Sequence, residues 1–375
     1  MSKKFIAALI LFCCAGVKLL AQDECELILV QATEEFNAGH LYGIPGMLKD
    51  CLDKNENRGW RQRAYLLLSE TYLLLEDPLG AEQSYLNVLR SNPEFLTDQN
   101  RDPIDLVYLS GKFTATPIFS LYADIGPNIS PVRVIHDVRI GGESYTKEKY
   151  QIRRLGWHLG VGMDFNYNDY ISASAGASIT LTKFDHTTTN LFGQNKDIVE
   201  FLDNQTWFMV PISIKYSEAH GKIRKYGYAG YSFNFLLTDN ADIDIKNRDS
   251  KTIEVTSEEF SAIDKSLSSI GLMQYRSKLN GAFFVGGGLK YKYKLDYFYV
   301  DLRYSFGIKN ITDPKNRFNT IREGLPFPYV DDDFRMDNVA ISVGFIHPLY
   351  KPRKLKKART RTLLRKIERQ DDATN

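Results

Sequence analysis

His158 and Asp164 bring an imidazole and a carboxylate into one run, LGWHLGVGMDFNY at 155–167, and Ser172, Ser174 and Ser178 follow closely. Those three residue types make up a serine nucleophile, its base and its orienting acid. Their spacing does not assemble them. Six positions along an extended segment separate the imidazole from the carboxylate by about 20 Å, far beyond hydrogen-bond reach. No Gly-x-Ser-x-Gly turn occurs in the chain to present a nucleophile. Metal chemistry is no better supplied. DNADID at 239–244 and the run Asp331, Asp332, Asp333 offer oxygen ligands, yet the twelve-residue calcium pattern with its central Gly and closing Glu is missing. The expectation is no catalytic residue, no metal and no cofactor, with both acidic runs as solvated loops; a barrel enzyme acting on lipid or peptide through His158 is the least favoured reading.

The segment that would position these groups alternates strictly. Leu155, Trp157, Leu159, Val161, Met163 and Phe165 point one way, while Gly156, His158, Gly160, Gly162, Asp164 and Asn166 point the other. The next segment opposes Ile171, Ala173, Ala175, Ala177, Ile179 and Leu181 to Ser172, Ser174, Gly176, Ser178 and Thr180. Eight such segments occur, at about 117–127, 152–167, 170–184, 206–217, 222–237, 281–294, 296–308 and 334–348. They run longer than the five or six residues usual in soluble sheets, and reach the roughly 9 to 11 needed to cross a bilayer at a tilt. Links two to three, four to five and six to seven are tight, and the other four run to about 20 residues or more, the alternation of short and long connections seen in outer-membrane barrels. That order puts both termini in the periplasm. With lipid on the apolar side, the polar side faces a lumen that eight strands leave just wide enough for side chains to fill. His158, Asp164, Lys215, Lys290, Lys292, Asp301 and Arg303 are then lumenal, and the charges among them must pair. A soluble sandwich and a small-solute channel are the alternatives.

Composition agrees. Tyr (22), Phe (22) and Gly (26) suit barrel strands, and a formal net charge of +2 with dispersed Lys and Arg carries no nucleic-acid signal, so no nucleic-acid partner is expected. After the first 21 residues, whose basic start and apolar run make a secretory signal peptide, no stretch approaches the roughly 18 apolar residues of a membrane helix. Residues 22–95 read as helices. In the second half of that span Leu68, Ser69, Tyr72, Ala81, Tyr85, Val88, Leu89 and Pro93 recur as in a tetratricopeptide helix pair, with Ser69 and Ala81 where helices touch. Ala32, Phe36, Gly39, Ile44, Leu48 and Leu52 repeat the register earlier. Tyr65, Leu68, Tyr72 and Tyr85 are the candidate partner-binding residues of this module; a small structural cap is the plain alternative. The same register brings Cys25 and Cys51 to one end of a helical hairpin, which predicts a disulfide in an exported chain.

Residues 96–116 read as a connector with a short amphipathic turn around Leu106, and 117–349 as the barrel. The tail at 350–375 is basic: Lys354, Lys356, Lys357, Arg359 and Arg361 lie among ten cations against one acid in 351–370, suited to an anionic leaflet, an acidic partner or plain solvation. Between strands five and six, Thr256 and Glu259 precede an apolar stripe that predicts a helix at 257–272, either a lid on the barrel mouth or a binding surface.

Taken together the chain resembles small outer-membrane β-barrels of the OmpA/OmpX and PorT-like kind, preceded by a tetratricopeptide-like periplasmic module. The resemblance rests on the eight alternating strands and, separately, on the helical pattern at 64–93; the 25 residues after Tyr350 depart from it. The fold class is α+β in more than one domain: a helical module, then an eight-stranded antiparallel transmembrane barrel. What the resemblance implies is a non-enzymatic outer-membrane protein whose partners are the lipid bilayer and periplasmic or outer-membrane proteins, with a part in a type IX-like secretion or envelope-assembly machine.

Overall fold

A computed structural model describes residues 24–138, 149–189, 197–247, 269–316 and 330–355. The signal peptide, most of the 257–272 stripe, and Lys356, Lys357, Arg359 and Arg361 lie outside the described residues. The chain forms two compact units. One comprises the residues up to Pro117 together with those from Tyr350 on; the other is Ile118–Leu349.

The first unit holds five helices: α1 (24–37), α2 (Ile44–Lys54), α3 (Arg58–Leu74), α4 (Pro78–Ser91) and α5 (Ile104–Ser110). Local chemistry sets their starts. Asn57 accepts hydrogen bonds from Gly59 N and Trp60 N at the head of α3, and Asp77 accepts from Leu79 N and Gly80 N at the head of α4, where Pro78 fixes the first turn. The side chains of α1, α2 and α3 close one core through Leu29, Ile44, Leu48, Trp60 and Leu68. Cys25 and Cys51 are disulfide-bonded, their Cα atoms 5.6 Å apart, and the Trp60 indole donates to the Cys25 carbonyl at 2.9 Å. Ser69 and Ala81 are fully buried where α3 and α4 pack. A second core joins Ala81, Tyr85 and Leu89 to Leu106, Leu109 and Phe113. The stretch read as a connector therefore contributes a helix to the packing. Its end, Phe113–Thr114, pairs antiparallel with Arg353–Lys354 of the tail.

The second unit is a closed barrel of eight strands: β1 (Phe119–Ile129), β2 (Gly156–Asn166), β3 (Ile171–Thr189), β4 (Asp197–Ser217), β5 (Ile223–Asn247), β6 (Leu279–Tyr293), β7 (Asp296–Gly307) and β8 (Asn338–Pro348). Each pairs antiparallel with its sequence neighbours, and β8 pairs with β1 (Val343 opposite Ile125) to close the sheet, so no barrel edge is left open. The alternation read from the sequence appears as two faces. Trp157 is 52% exposed on the outside and His158 2% exposed on the inside.

Three features differ from the sequence reading. Residues 185–189 and 197–205, taken as part of a long connection, are strand, because β3, β4 and β5 run 19, 21 and 25 residues and project past the apolar belt. DNADID lies inside β5 rather than in a loop. The eighth segment is broken: Asp333–Met336 leaves the barrel to pair with Val132–His136, and β8 begins at Asn338. Apolar residues alternate only over short runs in these segments, Val199 and Phe201 on β4, Ala241 and Ile243 on β5, Phe334 and Met336 before β8, interspersed with acids that read locally as loop.

Candidate functional site

The barrel interior is where chemistry-bearing side chains converge. Two carboxylates (Asp124, Asp301) and three cations (Lys215, Lys290, Arg303) line one cavity wall, and Asp164 stands behind Lys215. Lys215 Nζ meets Asp164 Oδ1 at 2.7 Å and lies 4.3 Å from the centre of the Tyr122 ring. Tyr228 donates to Asp301 at 2.5 Å and Tyr299 to Asp124 at 3.0 Å. Lys290 sits 4.8 Å above the Tyr226 ring, and Arg303 is 6.0 Å from that of Phe284. All six lumenal candidates (His158, Asp164, Lys215, Lys290, Asp301, Arg303) point inward, as their odd–even position on each strand dictates.

A serine, a histidine and an aspartate do meet here, though not the pair that shares a strand. His158 Nε2 lies 2.9 Å from Ser342 Oγ and 3.4 Å from Asp124 Oδ1. A hydrolytic relay needs the two ring nitrogens to face opposite partners, the base toward the hydroxyl and the other nitrogen toward the acid. Here one nitrogen faces both and Nδ1 has no partner in the group, while Ser342 is buried. The cluster therefore holds β1, β2 and β8 together and cannot pass a proton from serine to acid. Asp164 takes no part, since its carboxylate belongs to Lys215.

Two interior voids, of about 40 and 50 Å³, share Ser178, Pro211, Phe284 and Arg303 in their walls. Among the described residues each has room for a few waters. Above them Phe184, Trp207, Leu236, Ile311 and Phe334 form an apolar layer across the end where the long connections begin.

Beyond that layer lies a group that sequence reasoning missed. Arg276, fully buried, reaches Asp239 at 2.7 Å, Asp331 at 3.0 Å and Asp203 at 3.3 Å. His186 stacks on Phe201 at 4.6 Å and lies 3.0 Å from Asp203. Burial alone would lower the arginine's affinity for its proton, but Asp331, Asp239 and Asp203 outweigh it and hold the group well above the ordinary arginine range. Asp332 is pushed up by burial, partly offset by the Val138 N–H it accepts at 2.8 Å. Asp239, Asp331 and Asp332 are thus buried and paired, not solvated as expected. Arg276 finds partners from three distant segments, which no local pattern encodes; among the described residues no group of three or more acids, histidines or cysteines could hold a metal ion.

In the helical unit Leu68 and Tyr85 are core residues, and burial pushes the Tyr85 hydroxyl up to about 12. A partner cannot reach either side chain, so the expectation that they bind one is corrected: they hold helices together. Tyr65 and Tyr72 are half-buried against the same cores. Lys354 pairs with Glu82 at 2.6 Å.

No protein-family model and no curated protein matches the chain. Among solved structures it is similar to the outer membrane protein OprG from Pseudomonas aeruginosa (12% identity over 64% of this chain and 98% of that one, TM-score 0.28) and to Neisserial surface protein A (11% identity, 62% and 97%, TM-score 0.31). It is also similar to the outer membrane enzyme PagL (11% identity, 61% of this chain and 99% of that one, TM-score 0.22). At these scores the likenesses carry no argument, and the closed eight-stranded barrel stands on its own strand pairing.

Proposed function

We propose that this chain is a non-enzymatic outer-membrane anchor that holds a disulfide-stapled helical unit, and the start of a basic tail, in the periplasm for protein partners. One observation carries the reading: the outward side chains of the barrel are large apolar groups, while its inside is lined by polar and charged ones, among them the Lys215–Asp164 pair. Lipid is the phase that covers such a surface, and a filled lumen leaves little for transport. Exposed Leu74, Leu79, Ile104 and Tyr108 give the helical unit apolar groups to offer a partner. The tetratricopeptide-like character of that unit, and a place in a type IX-like secretion or envelope-assembly machine, are finer parts of the same proposal.

The test has two arms. Unboiled protein in detergent should migrate differently from boiled protein, and protease added to intact cells should spare the helical unit until the outer membrane is permeabilised. Deleting 24–95 should leave the heat-modifiable form and remove copurifying partners. Partner recovery that survives the deletion would end the adaptor reading, and single-channel conductance in planar bilayers would favour a channel instead.

A further inference from the structure

The barrel's tight-turn rim is electrically lopsided. The turns joining β4 to β5 and β6 to β7 are neighbours across the β5–β6 pairing, where Lys292 N donates to the Lys222 carbonyl at 2.8 Å. The two turns and the strand ends beside them carry Lys222, Arg224, Lys225, Lys290, Lys292 and Lys294 against Glu218 and Asp296. The third tight turn, at 167–170, carries Asp169 and no cation. The excess positive charge is therefore gathered on one side of the rim.

Three of these cations reach the surface. Lys222, Lys225 and Lys294 are exposed, and Lys225 stands on the outward row of β5 directly across from Leu289, itself an outward residue of the apolar belt. A charged side chain on that row at the belt's edge must extend its ammonium past the hydrocarbon to the headgroup layer. Aromatic residues frame the spot. Lys222 lies 5.4 Å from the Tyr291 ring and Lys294 5.5 Å from the Tyr293 ring, both rings outward and exposed. Tyrosines at a membrane interface with ammonium groups above them present donors at the depth of lipid phosphates.

We infer that Lys222, Lys225 and Lys294 form a docking site for the headgroup of an anionic phospholipid on this side of the barrel. The inference rests on the bilayer-spanning reading above and adds to it a lipid class and a position. Continuity with the apolar belt selects a lipid over a soluble acid: the acyl chains would lie on Leu289, Val285 and Phe298 while the phosphate meets the lysines.

The full-length protein, delipidated in non-ionic detergent, is titrated with phosphatidylglycerol or phosphatidylcholine, and bound lipids are counted by native mass spectrometry. Wild-type protein should retain phosphatidylglycerol on the order of tenfold better than phosphatidylcholine, as expected of several lysines near a lipid phosphate. Lys222→Gln/Lys225→Gln/Lys294→Gln should abolish the preference, and Lys278→Gln/Lys309→Gln/Lys315→Gln, three exposed lysines past the other end of the belt, should keep it. Equal retention of both lipids by wild type, or a preference that the first triple variant keeps, would overturn the inference while heat-modifiable migration leaves the barrel standing. A protein that stays in solution without detergent would overturn both.

Discussion

The helical unit and the barrel solve opposite burial problems with one chain. Inside the helices lie Ile44, Leu48, Ala64 and Trp60, and polar groups face outward. Inside the barrel lie Ser174, Asp164, His158 and Asp301, and the apolar groups face outward. The hydrophobic effect holds the first unit together and inserts the second into lipid, so the barrel interior depends on hydrogen bonds and charge pairing. Losing one partner should therefore cost most where the interior is polar.

The largest effect is expected at Lys215→Met, which strands the Asp164 carboxylate inside the barrel and should destabilise it by about 3–5 kcal/mol, read from urea unfolding of the heat-modifiable form in vesicles. Adding Asp164→Leu should recover much of that loss; a double variant as weak as the single one would show that the pair is not the cause. Next comes Cys25→Ser/Cys51→Ser, expected to cost the helical unit about 3 kcal/mol in pulse proteolysis while barrel migration stays unchanged. Coupled loss of both would contradict the separation of the two units. Trp60→Phe removes the indole donor to the Cys25 carbonyl and should cost about 1 kcal/mol in the same assay. Smallest is Arg63→Ala: its two bonds to Glu26, at 2.7 and 2.8 Å, are exposed and should contribute less than about 1 kcal/mol.

What the sequence revealed follows the same division. Each barrel strand was legible because burial on one side and lipid on the other impose a period of two over ten or more residues, as from Leu155 to Phe165. The disulfide was legible because two cysteines fell in register on neighbouring helices. The projecting ends of β3, β4 and β5 were not, since their alternating runs, Val199 and Phe201 or Ala241 and Ile243, are short and set among acids. Nor was Arg276, whose partners Asp203, Asp239 and Asp331 come from separate segments and read locally as loop acids. Ser342 carried no signal either; it reaches His158 only because β8 closes the barrel on β1. Leu68 and Tyr85 were read as partner-binding candidates because a helical repeat pattern marks packing positions and partner-facing positions with the same residue types.

The three tryptophans test the central claim directly: Trp157 faces out from β2, whereas Trp207 is buried within the barrel and Trp60 within the helices. With Trp60→Phe and Trp207→Phe leaving Trp157 as the sole emitter, lipids brominated along their acyl chains should quench its fluorescence strongly and aqueous iodide only weakly. Iodide quenching with no response to brominated lipid would contradict the account, because the face of the barrel treated as lipid-covered would then meet water.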